Sequence, residues 1–288
     1  MPATTERPVD HDVVLRGLRL HYLDWGAGGG PSVVFLHGGC LTAHTWDGVC
    51  DALRDEIHCL ALDQRGHGDS EWPPTGDYAT EAFAADLEAL IAHLGLVAPV
   101  LVGQSLGGIN AVAYAARHGD ALSGLVLVDV GGEVDWDGAS RIVDFVRGPS
   151  TLDSVDAFLE RARAFNPSRD PDALRSSLLH NLRQLPDGRW AWKYDHRGIG
   201  AASGDMRPKI AAMRAQIPAL TCPTLVVRGE RSDVLSDSAA RAVVAELPDG
   251  RLATVPDAGH NVQSDNPEGL AAVVRGFLDS SRIFTNTP

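Results

Sequence analysis

A serine between two glycines closes an apolar run in the first half of the sequence. Residues 103–107 read Gly-Gln-Ser-Leu-Gly, residues 100–102 before them are apolar, and a helical stretch follows. A strand that turns sharply at a serine and restarts as a helix holds that hydroxyl in a strained turn above the sheet edge. Side chains at positions 103 and 107 would collide in so tight a turn, which explains the glycines. The pattern predicts that Ser105 is a nucleophile.

Two later segments supply the partners that a serine nucleophile needs. Its hydroxyl is weak at neutral pH and requires an adjacent base, which in turn requires an acid to orient it. Asp233 and His260 each follow a predicted strand, as Ser105 does, and ligands of α/β sheets bind outside those strand ends. The order serine, acid, histidine favours Asp233 as the acid and His260 as the base. Asp129 also ends a predicted strand and stays open as the alternative acid.

A glycine pair follows the first fully apolar strand. The strand covers residues 32–36 and runs directly into His37-Gly38-Gly39-Cys40. Glycines at this point let the backbone turn with its N–H groups facing a neighbouring site, as an oxyanion hole requires. We expect the N–H of Gly39 to be a donor, with Cys40, one residue along, as the alternative.

The loop at residues 63–70 is dense in side chains capable of chemistry. It reads Asp-Gln-Arg-Gly-His-Gly-Asp-Ser, and His67 within it suggests a metal ligand or a base. Turn chemistry alone accounts for these residue types, because Asp, Ser and Gly satisfy tight backbone turns. We therefore interpret the segment as an internally hydrogen-bonded loop.

The elements that would position these residues alternate along the chain. Apolar strands alternate with helical stretches, which is typical of a mostly parallel sheet flanked by helices. This rhythm stops near Gly132 and returns at Cys222. In between, helical patterns cover 154–165 and 171–185, without a convincing buried strand. The predicted organisation is a core in two parts, 1–132 and 215–288, with a helical cap inserted at 133–214.

Aromatic residues are frequent in the predicted cap. They either seat a small helical layer on the core or line an apolar pocket above Ser105, a common composition for ligand sites. On the second interpretation the pocket includes Trp136, Trp190 and Trp192 from the cap and Cys40 from the core.

Composition excludes several classes of protein. The net charge is −13, from 25 basic and 38 acidic residues among 288, with no basic block, so nucleic acid and anionic membranes are not expected partners. The four cysteines form no Cys-x-x-Cys pair and no His-Glu-x-x-His motif is present, so no metal or cofactor is implied. Without a signal-peptide pattern or an apolar run of about 18 residues, a cytoplasmic location is predicted.

The sequence resembles the α/β-hydrolase fold superfamily over nearly its whole length. The resemblance rests on the turn at 103–108, the His37-Gly38-Gly39 loop, the 63–68 loop and Gly259-His260. It implies an eight-stranded, mostly parallel sheet with an inserted cap. By resemblance, Ser105 is the nucleophile, His260 the base, Asp233 the acid, and the N–H groups of Leu106 and Gly39 the oxyanion donors.

Within that superfamily the chain is most similar to the cap-bearing carboxylesterases, lactonases and carbon–carbon bond hydrolases. The expected activity is therefore cleavage of an ester, a lactone or a similar small acyl substrate through an acyl-enzyme. One alternative is carbon–carbon bond hydrolysis of a vinylogous diketone acid, for which Arg141, Arg197 or Arg207 would hold the carboxylate. A non-catalytic binding or receptor protein on the same fold is the alternative from another class.

Overall fold

Eight strands form the main sheet in the computed structural model of the protein, which describes residues 8–26, 29–167, 169–197, 206–281 and 283. A three-stranded sheet lies apart from it. Numbered along the chain, the strands are β1 (Val9–Leu15), β2 (Leu18–Asp24), β3 (Ser32–Leu36), β4 (His58–Asp63), β5 (Val100–Gln104), β6 (Gly124–Val128), β7 (Thr151–Leu152), β8 (Leu182–Gln184), β9 (Trp190–Trp192), β10 (Thr224–Gly229) and β11 (Gly250–Val255).

The main sheet has the order β1-β2-β4-β3-β5-β6-β10-β11. The pairs β1–β2 and β2–β4 are antiparallel, and the remaining pairs are parallel. Every residue of β5 and of β6 is buried, as expected of central parallel strands that are covered on both faces. The predicted mostly parallel, eight-stranded architecture is confirmed.

Helices cover both faces of this sheet. Numbered along the chain, the α-helices of the described ranges, including those of the inserted segment, are α1 (Asp47–Leu53), α2 (Thr80–His93), α3 (Leu106–His118), α4 (Trp136–Val146), α5 (Val155–Phe165), α6 (Pro171–Asn181), α7 (Arg207–Gln216), α8 (Asp237–Glu246), α9 (Val262–Asp265) and α10 (Pro267–Ser280). Successive residues of β5 point to opposite faces, so Leu101 and Val102 belong to two different apolar clusters. Among the described residues, no helix combines the length and apolar character needed to cross a bilayer.

The segment between β6 and β10 contains strands that the sequence did not predict. Besides α4, α5 and α6, it holds the antiparallel sheet β7-β9-β8. The helix predicted at 171–185 ends at Asn181, and the chain continues as β8. Strands of two or three residues are too short to show a period-two pattern, so their sequence could not reveal them.

A third apolar cluster joins this segment to the core. Phe158 and Trp192 from the insertion pack with Tyr78, Phe83 and Leu106 from the core. Leu106 follows the serine at the strand-to-helix turn. The predicted cap, the segment inserted between β6 and β10, therefore packs against the residue that follows the predicted nucleophile.

Candidate active site

Ser105 occupies the turn between β5 and α3 with a strained backbone. Its φ is 51° and its ψ is −114°, a conformation that costs a residue with a side chain on the order of 1–3 kcal/mol. The two flanking glycines permit this geometry. A Cβ on Gly107 would lie 2.2 Å from the backbone oxygen of Leu36, and a Cβ on Gly103 would lie 2.5 Å from that of Gly107. Helix α3 therefore approaches the sheet too closely for any side chain at these positions.

We expect Gly107→Ala to lower the free energy of unfolding by about 3 kcal/mol, because the new methyl group meets backbone atoms that cannot move aside. Gly276→Ala in α10 is the matched control, since a Cβ there meets nothing within 4 Å. The control should raise stability by about 0.5–1 kcal/mol. Urea unfolding of both variants measures the difference, and equal stability of the two would contradict the steric argument.

His260 faces a buried carboxylate, and this carboxylate belongs to Asp129. The Nδ1 of His260 lies 2.8 Å from Oδ2 of Asp129. Asp129 is completely buried directly after β6, and it also accepts hydrogen bonds from the N–H of Gly229 at 3.1 Å and from the hydroxyl of Ser232 at 2.6 Å. Three donors thus hold one carboxylate ion in a fixed orientation toward the imidazole.

The structure does not pair Asp233, the predicted acid, with His260. Its carboxylate is half exposed and forms an ion pair with Arg141 at 3.0 Å. The loop after β10 directs the side chain of Ser232 toward Asp129, whereas Asp233 lies under α4, so close that a Cβ on Gly138 would be 1.8 Å from its backbone oxygen. Asp129, the alternative that the sequence left open, is the partner of His260.

Gln104 contacts the other nitrogen of the imidazole, a feature that sequence reasoning missed. Its amide nitrogen lies 3.2 Å from Nε2 of His260 and donates to the backbone oxygen of His260 at 3.2 Å. With its Nδ1–H donated to Asp129, His260 presents an acceptor at Nε2. Gln104, at the end of β5, therefore helps to hold the imidazole of His260 at this edge of the sheet. The residue precedes Ser105 in the motif, but nothing in its type signals this contact.

The backbone around Gly39 forms a tight turn beside the start of α3. The N–H of Leu41 donates to the oxygen of Gly38 at 3.3 Å, and Cys40 has a φ of 65°. A Cβ on Gly39 would lie 3.9 Å from the side chain of Leu106. Leu106 is the first residue of α3, so its N–H is one of the four that a helix leaves unsatisfied. The turn thus brings two backbone segments with candidate donors together.

The 63–70 loop is internally hydrogen-bonded, as interpreted from its sequence. Asp63 accepts from the backbone N–H groups of Ala43 at 2.6 Å and Asp69 at 2.9 Å, and from His21 at 2.8 Å. Gln64 donates through its backbone to Nε2 of His37 at 3.0 Å and through its side chain to the oxygen of His37 at 2.7 Å. The loop therefore anchors the strand end that leads into the glycine pair.

Burial keeps His67 uncharged in this loop. Desolvation lowers the pKa of His67 to about 3, so the ring is neutral throughout the physiological range. Its Nδ1 lies 3.0 Å from the backbone oxygen of Arg65, a local contact within the loop. These observations support a structural role.

Asp63→Asn should destabilise the protein at pH 7 by about 2–3 kcal/mol, because the amide replaces one acceptor oxygen with an NH2 group that faces an N–H donor. Burial alone would raise the pKa of Asp63, but the hydrogen bond from His21, the charges of His37 and His21 and the hydrogen bond from the N–H of Asp69 together outweigh it, so the pKa is lowered. A lowered carboxyl pKa stabilises the fold above about pH 4, and this contribution is lost as the pH falls through the folded-state pKa. Urea unfolding at pH 7 and pH 3 measures the free energy of unfolding of the variant and the wild type. The difference between the two proteins should be smaller at pH 3 than at pH 7, and an equal difference at both pH values would contradict an origin in the Asp63 carboxylate.

A cavity of about 1080 Å³ lies between the sheet edge and the cap. Its wall includes Ser105, Asp129, His260, Gly39 and Leu106. It also includes three of the four predicted pocket residues, which are Cys40, Trp136 and Trp192.

Trp190, the fourth predicted pocket residue, does not line this cavity. In β9 it stands next to the hairpin turn at 185–189, where Leu185 donates to the oxygen of Arg189 at 2.7 Å. This position is at the end of the small sheet where β8 and β9 are joined. Trp190 packs there against the apolar cluster of the cap and not around the cavity.

A sheet of this order, a serine at a strained turn after β5 and a buried Asp129–His260 pair define the architecture of an α/β hydrolase. The chain belongs to the α/β-hydrolase fold family, which it matches over residues 31–267. The superfamily resemblance inferred from the motifs is confirmed.

The chain is similar to several characterised members. It is 35% identical to esterase Rv0045c of Mycobacterium tuberculosis, over 90% of this chain and 86% of that protein, and 31% identical to the sn-1-specific diacylglycerol lipase ABHD11 of Mus musculus, over 86% and 81%. A crystal structure of E-2-(acetamidomethylene)succinate hydrolase superimposes with a TM-score of 0.83 at 26% identity, covering 94% of this chain and 99% of that one.

Proposed function

We propose that the protein is a serine hydrolase that cleaves a carboxylic ester or lactone through an acyl-enzyme on Ser105. The observation that carries the proposal is the single cavity wall that holds Ser105, His260 and the buried Asp129. The similarity to an esterase and to a lipase supports hydrolase activity on small acyl substrates. The predicted cytoplasmic location stays a prediction.

The first half of the reaction acylates the serine. Ser105 attacks the carbonyl carbon of the substrate while its proton passes to Nε2 of His260, which exchanges its contact with Gln104 for the serine hydroxyl. Asp129 stabilises the imidazolium that forms. The backbone N–H groups of Gly39 and Leu106 stabilise the oxyanion, in a site where the donors are already oriented before reaction.

Acylation ends when the tetrahedral intermediate collapses: the ester C–O bond breaks and His260 gives its proton to the leaving alkoxide. In the second half, His260 takes a proton from a water molecule that attacks the acyl-enzyme. The tetrahedral intermediate collapses, Ser105 regains its proton, and the carboxylic acid leaves. The net reaction converts one ester and one water molecule into one carboxylic acid and one alcohol.

Labelling with a fluorophosphonate tests the proposal. Such a probe phosphonylates an activated serine, so mass spectrometry should find the adduct on Ser105 in the native protein and none after heat unfolding. A native protein that binds esters but takes no label would instead be a receptor on the same fold.

The carbon–carbon hydrolase alternative receives no support from the arginines first considered for it. Arg141 pairs with Asp233, and Arg197 pairs with Asp195 at 2.9 Å. Arg207 stacks on Trp136, with its guanidinium carbon 4.6 Å from the ring centre. That activity stays a secondary hypothesis.

A further inference from the structure

A different arginine lies in the cavity wall and has no ion-pair partner among the residues that the structure describes. Arg169 precedes α6 in the cap and lines the same cavity as Ser105 and His260. Its side chain is half buried. Over the described ranges, no carboxylate lies at ion-pair distance from its guanidinium and no oxygen accepts a hydrogen bond from it; Asp265 influences it only from farther away.

The other cations of the wall are either exposed or already engaged. Arg141 and Arg231 are exposed and paired with Asp233 and Asp257. Lys209 donates to the backbone oxygen of Tyr78 at 3.0 Å. Arg147 is exposed at the end of α4, where water can solvate it.

The guanidinium of Arg169 is partly removed from water and forms no ion pair with the described residues. It should therefore bind an anion strongly. Burial lowers the pKa of Arg169, and the charge of Asp265 offsets this only in part. Asp265 is itself committed, since it accepts from the N–H of Gly259 at 2.9 Å. A carboxylate is the group best matched to a free guanidinium, because the two planar ions form paired, charge-assisted hydrogen bonds.

The position of Arg169 fits a role in substrate binding. Gly259 precedes His260 in the chain, and Asp265 accepts a hydrogen bond from Gly259. Because the charge of Asp265 acts on the guanidinium of Arg169, this guanidinium lies on the side of the cavity where His260 is. A substrate whose carbonyl group meets Ser105 would extend its remote end along this wall.

Resting on the proposed function, we infer that Arg169 binds a carboxylate of the substrate and that the preferred substrates are anionic carboxylic esters, such as half-esters of dicarboxylic acids. Such substrates carry one ester carbonyl for Ser105 and one free carboxylate for Arg169. The preference would not be visible from the net charge of −13, which by itself disfavours anions.

A pair of esters of equal length tests the inference. We would compare kcat/KM for the para-nitrophenyl half-ester of glutaric acid with that for para-nitrophenyl pentanoate, which has a methyl group in place of the carboxylate. The wild type should prefer the half-ester, and Arg169→Met should lower the ratio of anionic to neutral kcat/KM by about 10- to 100-fold. Arg169→Lys should fall between, because it keeps the charge but not the paired donors.

Arg147→Met is the matched control, an arginine of the same wall in an exposed position, and it should leave the ratio unchanged. A ratio that does not fall in Arg169→Met, or a wild type that prefers pentanoate, would overturn the inference. An equal loss of kcat/KM for both esters in Arg169→Met would also overturn it, because Arg169 would then only stabilise the cap.

Binding of glutarate separates this inference from the proposed function. Calorimetry on Ser105→Ala measures the dicarboxylate without any turnover, and adding Arg169→Met should weaken the Kd at least about tenfold. Glutarate affinity that is absent, or that does not depend on Arg169, contradicts the carboxylate site even if Ser105 is the nucleophile. Conversely, hydrolysis that persists in Ser105→Ala removes the proposed function while leaving Arg169-dependent glutarate binding intact.

Discussion

Ser105→Ala is expected to lower kcat for a para-nitrophenyl ester by about 10⁶-fold, the scale found when the nucleophile of a serine triad is removed. The loss is this large because histidine and acid have no role in acyl transfer without the hydroxyl. The fold should persist, since the Ser105 side chain makes no capping hydrogen bond to α3. Alanine would also occupy the same backbone conformation.

Steady-state kinetics together with urea unfolding check this expectation. Ser140→Ala, a serine of the same cavity wall on α4, is the control and should keep wild-type kcat. Turnover by Ser105→Ala at the wild-type rate would mean that another group attacks the substrate, and the proposed mechanism would fail.

Asp129→Asn should lower kcat by about 10⁴-fold, the scale known for the same change in a serine triad. An amide in place of the carboxylate stabilises the wrong tautomer of His260 and leaves the imidazolium without a counter-charge. Asp233→Asn should change kcat less than about threefold, since it removes only an exposed ion pair with Arg141.

The two asparagine variants are controls for each other, because each replaces one aspartate that follows a strand of the same sheet edge. Both need a urea unfolding curve, since Asp129 also accepts from Gly229 and Ser232. A large loss in Asp233→Asn with little loss in Asp129→Asn would restore the acid predicted from chain order.

The choice between these two aspartates shows where sequence reasoning stops. Strands β6 and β10 are neighbours in the sheet, and the N–H of Asp129 donates to the oxygen of Val227 at 2.8 Å. Both acids therefore emerge close to His260, and chain order cannot rank them. The direction of each side chain decides, and it depends on how the loop after β10 folds back on Asp129.

What the sequence by itself determined is the part governed by local physics. The glycines at 103 and 107 predict the strained turn at Ser105, because a side chain at 103 would meet the backbone of α3 and a side chain at 107 would meet the backbone of Leu36. Continuous apolar runs predict buried parallel strands, since both faces of such strands are covered. The position of His260 after a predicted strand late in the chain likewise indicated a base for Ser105.

Only the tertiary structure decided which aspartate faces His260, the contact of Gln104 with His260, the position of Trp190 outside the cavity and, over the part of the chain that the structure describes, the lack of an ion-pair partner for Arg169. Each of these depends on contacts between segments far apart in the chain, and no local pattern encodes such contacts. The sequence around an arginine does not show whether its side chain faces an aspartate or a cavity. Packing of the cap over the sheet settles that difference, and with it the chemistry that the cavity favours.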